Sequence, residues 1–321
     1  MIKLKNKFAI GCLVQWYEIE MISDYINSLN GAIKDIKNKE NIIVDFKLVI
    51  NQDLEKIDEN QITMDEIIIK FKKMVNGFEF SVTEELLTIS DYRRYFNDYY
   101  CNEVDVLMWG ESDSLIPNQT FQVLDLLHTN NISNETYKYL TFFGTCKMWD
   151  NSWKPIEHID FTDKKFGGEH SSKWYGTRYV MSIDEMNDIN DKVENLDIRI
   201  VSPYKFNGCG LVISSDVIKS GANIPKSVFF THEDTAFMNQ CKTLFQESIP
   251  QFIIKNILLV HNREHPKKRL YVLDENGSSL GEQRKSNDWY TVASKFSEHN
   301  AYNTFKQSKN YTWGDVWEII K

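Results

Sequence analysis

The chain has 321 residues, 42% of them hydrophobic and 13% aromatic, enough to bury a large core in one domain or two closely joined lobes. Its net charge of −9 argues against a general nucleic-acid coat or an anionic membrane surface as the main partner, leaving local basic patches such as Lys267–Arg269. Five scattered cysteines (Cys12, Cys101, Cys146, Cys209, Cys241) form no CxxC pattern and read as reduced core thiols of a cytoplasmic protein. The N-terminal run Phe8–Val14 is too short for a secretory signal, and no apolar run approaches the roughly 20 residues of a membrane span.

Phe8–Val14 reads as a buried parallel strand. From Glu18 to about Ile36, the spacing of Ile19, Ile22, Ile26, Leu29 and Ile36 predicts a helix. Asn41–Ile50 is a second strand, Met64–Met74 a helix, and a further helix starts near Ser90 and runs to Tyr100. The stretch Asp105–Pro117 follows and reads as a buried strand that ends in Glu111 and Asp113. Strand and helix alternating in this way predict a mostly parallel sheet covered by helices, with ligands beyond the strands' C-terminal ends. After Pro117 come a helix over Asn118–His128, an apolar run Tyr139–Cys146, and a long aromatic and polar region from Trp149 to about Asp191. Ile198–Val201 and Gly210–Ile213 read as short strands, Thr231–Phe245 as a helix and Phe252–Val260 as a strand. The C-terminal Trp313, Val316, Trp317 and Ile320 have helical spacing and are expected to dock on the body.

Four pieces carry chemistry. Glu111 and Asp113, one residue apart at a strand end, offer hard oxygen ligands of the kind Mg²⁺ or Mn²⁺ takes when it holds a diphosphate, although such pairs often only start a turn. Gly208 and Gly210 flank Cys209 ahead of a strand, where backbone can approach a ligand or simply turn. Thr231 stands three residues before Asp234, a capping-box-like spacing, while Asp234 can also accept a proton from a hydroxyl. His261 ends an apolar strand, and beside a divalent cation its nitrogen favours Mn²⁺ over Mg²⁺, with His265 a poorer candidate.

The order of these pieces resembles that of GT-A glycosyltransferases, family-2-like members above all: an Arg-x-x-Asn helix, a strand ending in an Asp-x-Asp motif, a glycine strand, a Glu-Asp helix and a late histidine. The resemblance covers about residues 8–265. It implies a GT-A-like, Rossmann-type, mostly parallel α/β sheet flanked by helices, with an acceptor-side subdomain and a C-terminal helical extension. The corresponding division is a donor half 1–115, an acceptor and catalytic half 116–265, and an extension 266–321. It further implies metal ligation by Asp113 and His261 with Glu111, which departs from the motif's first Asp. Asp234, with Glu233 beside it, stands at the general base of inverting members. Donor-binding positions are Gln15, Trp16, Glu18, Asn51, Asp53, Arg93, Arg94, Asn97, Trp109, Glu111 and Ser112. Acceptor-side positions are Trp174, Tyr175, Gly208, Gly210 and His232.

The implied activity is metal-dependent transfer of a sugar from a nucleotide-sugar to an acceptor hydroxyl, with Mn²⁺ or Mg²⁺ as cofactor. The acceptor could be a glycan, a protein or a hydroxymethylated DNA base. Trp149, Trp153, Trp174, Tyr175 and Tyr179 suit either a lobe interface or a stacking wall. Gly167–Gly176 reads as a loop able to close over the site, and Lys164, Lys165, Lys173 and Arg178 as surface charge or anion contacts. Two alternatives stand beside the transferase. A nucleotidyltransferase usually needs a glycine- and lysine-rich loop after the first strand, which Gly11–Trp16 lacks. A non-catalytic nucleotide-binding scaffold would more naturally have lost Asp113, Asp234 or His261.

Overall fold

The computed structural model describes residues 1–149, 152–155, 181–261 and 288–321, apart from residues 58, 61, 203 and 205. Its strands are β1 (Phe8–Gln15), β2 (Ile42–Val49), β3 (Phe80–Thr83), β4 (Val106–Trp109), β5 (Ser114–Leu115), β6 (Leu140–Trp149), β7 (Ser152–Pro155), β8 (Ile198–Val201), β9 (Val212–Ser214) and β10 (Gln251–His261). Its α-helices are α1 (Ile22–Ile33), α2 (Met64–Val75), α3 (Ile89–Tyr100), α4 (Thr120–Ser133), α5 (Ile183–Asn190), α6 (Ser215–Lys219), α7 (Glu233–Phe245), α8 (Asp288–Asn303) and α9 (Trp313–Ile319).

One sheet in the order β3-β2-β1-β4-β9-β6-β10-β5 runs across the whole body, with β7 on β6 and β8 on β10. The parallel pairs are β1–β2, β1–β4, β2–β3 and β6–β10, whereas the short strands β5, β7, β8 and β9 run against their neighbours. The architecture is therefore the expected α/β sheet flanked by helices, with β1, β2, β3 and β4 paired in parallel and β6 parallel to β10. Alternation along β1 explains the two-sided core. Phe8, Ile10, Cys12 and Val14 pack with Ile22, Ile26 and Leu29 of α1, Phe71 of α2 and Phe121 of α4. Ala9 and Leu13 pack on the other face with Tyr92 and Phe96 of α3 and Phe237 of α7. A smaller cluster joins Phe229 and Phe230 to Trp289, Tyr290, Trp313 and Val316 of the C-terminal helices.

Several boundaries differ from the sequence reading. The helix expected from Glu18 is a 3₁₀ turn at Trp16–Glu18 followed by α1, which begins only at Ile22. The edge strand β3 and helix α5 were not foreseen; α5 opens with a capping box between Ser182 and Glu185 that the long polar region concealed. Thr231 does not cap α7. The N-cap is His232, in the left-handed region at φ 65, and Thr231 Oγ1 instead meets Ser294 Oγ at 3.3 Å. Gly167–Gly176, Trp174, Tyr175, Tyr179, Lys164, Lys165, Lys173, Arg178, His265 and Lys267–Arg269 lie outside the described residues, as do the side chains of Cys146, Trp149 and Trp153. No helix among the described residues is long and apolar enough to cross a membrane.

Candidate metal centre and flanking cavities

The site forms where four strands end together. β4 stops at Trp109, and Glu111–Asp113 lies in the turn that follows rather than on the strand itself, with Ser114 N–H and Oγ–H both donating to Glu111 O (3.0 and 2.8 Å). That turn feeds β5, whose antiparallel register sets Ser114 opposite His261 at the end of β10. Because β9 runs against β4, the Gly208–Gly210 turn ahead of it reaches the same end of the sheet. Gly210 N–H donates to Trp109 O at 3.0 Å, and its φ of +78 is one that glycine adopts without strain.

His261 Nε2 lies 3.1 Å from Glu111 Oε2 and 3.3 Å from Asp113 Oδ1. Adjacent ligands of an octahedral ion with bonds near 2.1 Å stand about 3 Å apart, so the His261–Glu111 and His261–Asp113 separations each suit a pair of neighbouring ligands. Two carboxylates and one imidazole form a donor set suited to Mn²⁺. A Glu111 oxygen, Cys209 Sγ and a His261 nitrogen lie within 4.8 Å of one another, a group that does not include Asp113. His261 is 7% exposed, and its Nδ1 has no hydrogen-bond partner among the described residues.

Arg93 organises what lies beneath. It is 1% exposed and projects from α3 between Glu111 (2.8 Å), Glu233 (a short ion pair) and Gly208 O (3.0 Å), with its guanidinium 4.7 Å from the Trp109 ring centroid. A Cβ at position 208 would overlap this guanidinium, so the glycine is required by the arginine. Burial alone raises the Glu111 carboxyl, but His261 and Arg93 outweigh it and the net displacement is downward. Burial pushes Glu233 up to about 7, Arg93 offsets only part of that, and Asp234 adds to it. Burial lowers Arg93, yet Glu233 and Glu111 reverse the effect and hold the guanidinium above its ordinary value.

Two cavities flank this group. The first, about 220 Å³, is lined by Gln15, Tyr17, Glu18, Glu111, Ser112 and Asp113, and on its other wall by Phe230, Thr231 and Tyr290. The second, about 520 Å³, is lined by Tyr204, Phe206, Asn207, Asp234 and Lys242 among others. Asp234 accepts from Gly208 N–H (3.1 Å) and from Thr235 N–H (2.6 Å). It belongs to the second cavity, not the first.

Other sequence candidates are placed differently. Trp16, Asn97 and Trp109 are fully buried and serve the interior: Trp16 Nε1–H donates to Asn51 O, and Trp109 Nε1–H donates to Asn97 Oδ1. They are corrected from donor contacts to supports. Arg94 is likewise corrected, because its guanidinium is taken up by the carbonyls of Ile224, Pro225 and Val228 and by Asp91. Asn51 and Asp53 bond each other, and Asn51 Nδ2–H donates to Glu84 O, which closes the turn after β2. Gln15, Glu18 and Ser112 do face the first cavity. Sequence reasoning missed Tyr290, for which it had no signal, and Cys209, which it had noticed between two glycines and assigned to the core.

No family model matches the chain, and no curated protein matches it. Among solved structures it is similar to S. aureus TarS residues 1–349, at 11% identity and a TM-score of 0.44, covering 78% of this chain and 60% of that one. It is also similar to GalNAc-T7 solved with UDP, GalNAc and Mn²⁺, at 9% identity and a TM-score of 0.46, covering 98% of this chain and 53% of that one. The chain thus spans a little over half the length of each. Likeness at this level assigns neither substrate nor activity.

Proposed function

We propose that the chain is a divalent-cation-dependent glycosyltransferase that moves a sugar from a nucleotide-sugar to an acceptor hydroxyl, with inversion at the anomeric carbon. The observation that carries the reading is that His261 Nε2 lies 3.1 Å from Glu111 and 3.3 Å from Asp113 beside an open cavity, with an acidic helix start close by. In this reading Glu111, Asp113 and His261 hold the cation. When bound, the cation supplies positive charge against the diphosphate that leaves as the anomeric C–O bond breaks.

The protein's own groups do the rest. Gln15, Glu18 and Ser112 line the space for the donor. Asp234, oriented by the N–H groups of Gly208 and Thr235, takes the proton of the acceptor hydroxyl as its oxygen attacks from the opposite face. The second cavity, which Asp234 lines, is where the acceptor enters. A glycan, a protein side chain or a hydroxymethylated base all present a suitable hydroxyl.

The test is thermal stability with Mn²⁺ against UDP, GDP, CDP and dTDP, free and sugar-linked. A ligand at 100 times its Kd raises stability by about 2.7 kcal/mol through mass action. A cation-dependent rise with one nucleotide, lost in Asp113→Asn, supports the reading; no rise with any nucleotide overturns it.

A further inference from the structure

The proposed cation site contains a sulfur donor that hard-cation sites lack. Cys209 Sγ, a Glu111 oxygen and a His261 nitrogen lie within 4.8 Å of one another. The three lie next to separate strands, β4, β9 and β10, at one end of the sheet. Such convergence is tertiary and is not produced by one local turn.

The backbone around the cysteine is fixed on both sides. Gly208 O accepts from Arg93 (3.0 Å), Cys209 N–H donates to Asn207 Oδ1 (2.9 Å), and Gly210 N–H donates to Trp109 O (3.0 Å). Cys209 is 1% exposed and His261 7%, so water competes poorly for either donor. The imidazole also faces both carboxylates through Nε2. A sulfur beside a Glu111 oxygen and a His261 nitrogen makes the set borderline-soft, which favours Zn²⁺, Co²⁺, Fe²⁺ or Cd²⁺ over Mg²⁺.

We propose that Cys209 is a ligand of the cation held by Glu111, Asp113 and His261, and that the centre therefore selects a thiophilic divalent ion. The inference rests on the metal site proposed above. Binding forms a metal–sulfur bond and releases the thiol proton to solvent.

Co²⁺ is the probe, because a Co²⁺–thiolate bond produces an intense near-ultraviolet charge-transfer band distinct from the visible d–d bands that any coordinated Co²⁺ shows. The full chain titrated with Co²⁺ is expected to show both. In Cys209→Ser and Cys209→Ala the charge-transfer band disappears while the d–d bands persist. Affinity for Cd²⁺ by calorimetry falls at least as far as the roughly 10–100-fold that losing even an outer supporting residue costs, with Mg²⁺ affinity changed far less. Cys12→Ser is the control, since Cys12 lies close enough to Glu111 and Asp113 to feel their charge; its band must remain.

A wild-type spectrum with d–d bands and no charge-transfer band overturns the sulfur ligand and leaves the metal site standing. So does loss of the band in Cys12→Ser but not in the Cys209 variants. No Co²⁺ spectrum of either kind overturns the metal site itself.

Discussion

Arg93 is the residue on which the site's charge balance turns. It is buried between Glu111 and Glu233, and removing one partner of such a group leaves an uncompensated charge that costs about 3–5 kcal/mol. Arg93→Met should therefore lower the unfolding midpoint in urea more than Arg94→Met, whose guanidinium serves one surface loop. Equal midpoints for the two variants would remove Arg93 from its central place. Gly208→Ala should act through the same arginine: the added methyl displaces the guanidinium, at about 1–3 kcal/mol for overpacking, and weakens cation affinity measured by calorimetry.

Glu233 gives a prediction in pH. Its folded value lies near 7, above the ordinary 4.5, because burial outweighs Arg93. The folded state then holds a proton that the unfolded chain releases between these values, so the contribution of Glu233 to stability is fully present below about 4.5 and is lost as pH rises through about 7. The displacement corresponds to at most about 3 kcal/mol. Glu233→Gln cannot release that proton, so its melting temperature relative to wild type should rise between pH 5 and pH 8. A difference that stays constant across that range would show Glu233 already charged in the folded protein.

Among the elements, α3 and α7 position the chemistry, and they are tied to each other. Thr88 caps α3 and its Oγ1–H donates to Phe229 O, while Ser90 Oγ–H donates to Phe230 O, both 2.9 Å. Thr88→Val removes a cap and a buried bond together and should cost about 1–2 kcal/mol. Hydrogen exchange should then quicken at the start of α3 and at residues 229–231 together; quickening at α3 alone would mean the two segments are not coupled.

The long elements were readable because each repeats a period: β1, β2 and β10 as apolar runs, α2 and α3 by helical spacing. What was hidden depended on tertiary contact. Nothing local distinguishes Arg93 from Arg94, yet one faces the carboxylates and the other a loop, because only position 93 shares a helix face with Phe96 and Asn97 toward the sheet. Glu111, Asp113 and His261 were visible as acidic and imidazole groups near strand ends, but their meeting depends on the β5–β10 register. The spacing of Asp234 from Thr231 suits a capping pair as well as a proton acceptor, and in the fold its hydrogen-bond partners are Gly208 and Thr235 rather than Thr231.

At the scale of the molecule, the C-terminal helices close the site from outside the sheet. Ser297 Oγ–H donates to Thr231 O, Asn300 Nδ2–H donates to Ser227 O and Tyr311 O, and Tyr290 lines the first cavity beside Thr231. These bonds grip residues 227–231, the segment that leads directly into Glu233 and Asp234. Among the described residues, the two large core clusters draw on this extension only through Ala301, so the sheet body has a core of its own. Deleting residues 288–321 should therefore leave a cooperative unfolding transition by circular dichroism, at a lower temperature because Phe229 and Phe230 lose their aromatic cover. The same deletion removes Tyr290 from the cavity wall and frees the start of α7. Stabilisation by Mn²⁺ with the preferred nucleotide should then fall with an affinity loss of about tenfold or more, as about 1.4 kcal/mol of lost contact produces. A deleted chain that unfolds earlier yet keeps full cation and nucleotide affinity would reduce the extension to a cover for Phe229 and Phe230, with no part in shaping the site.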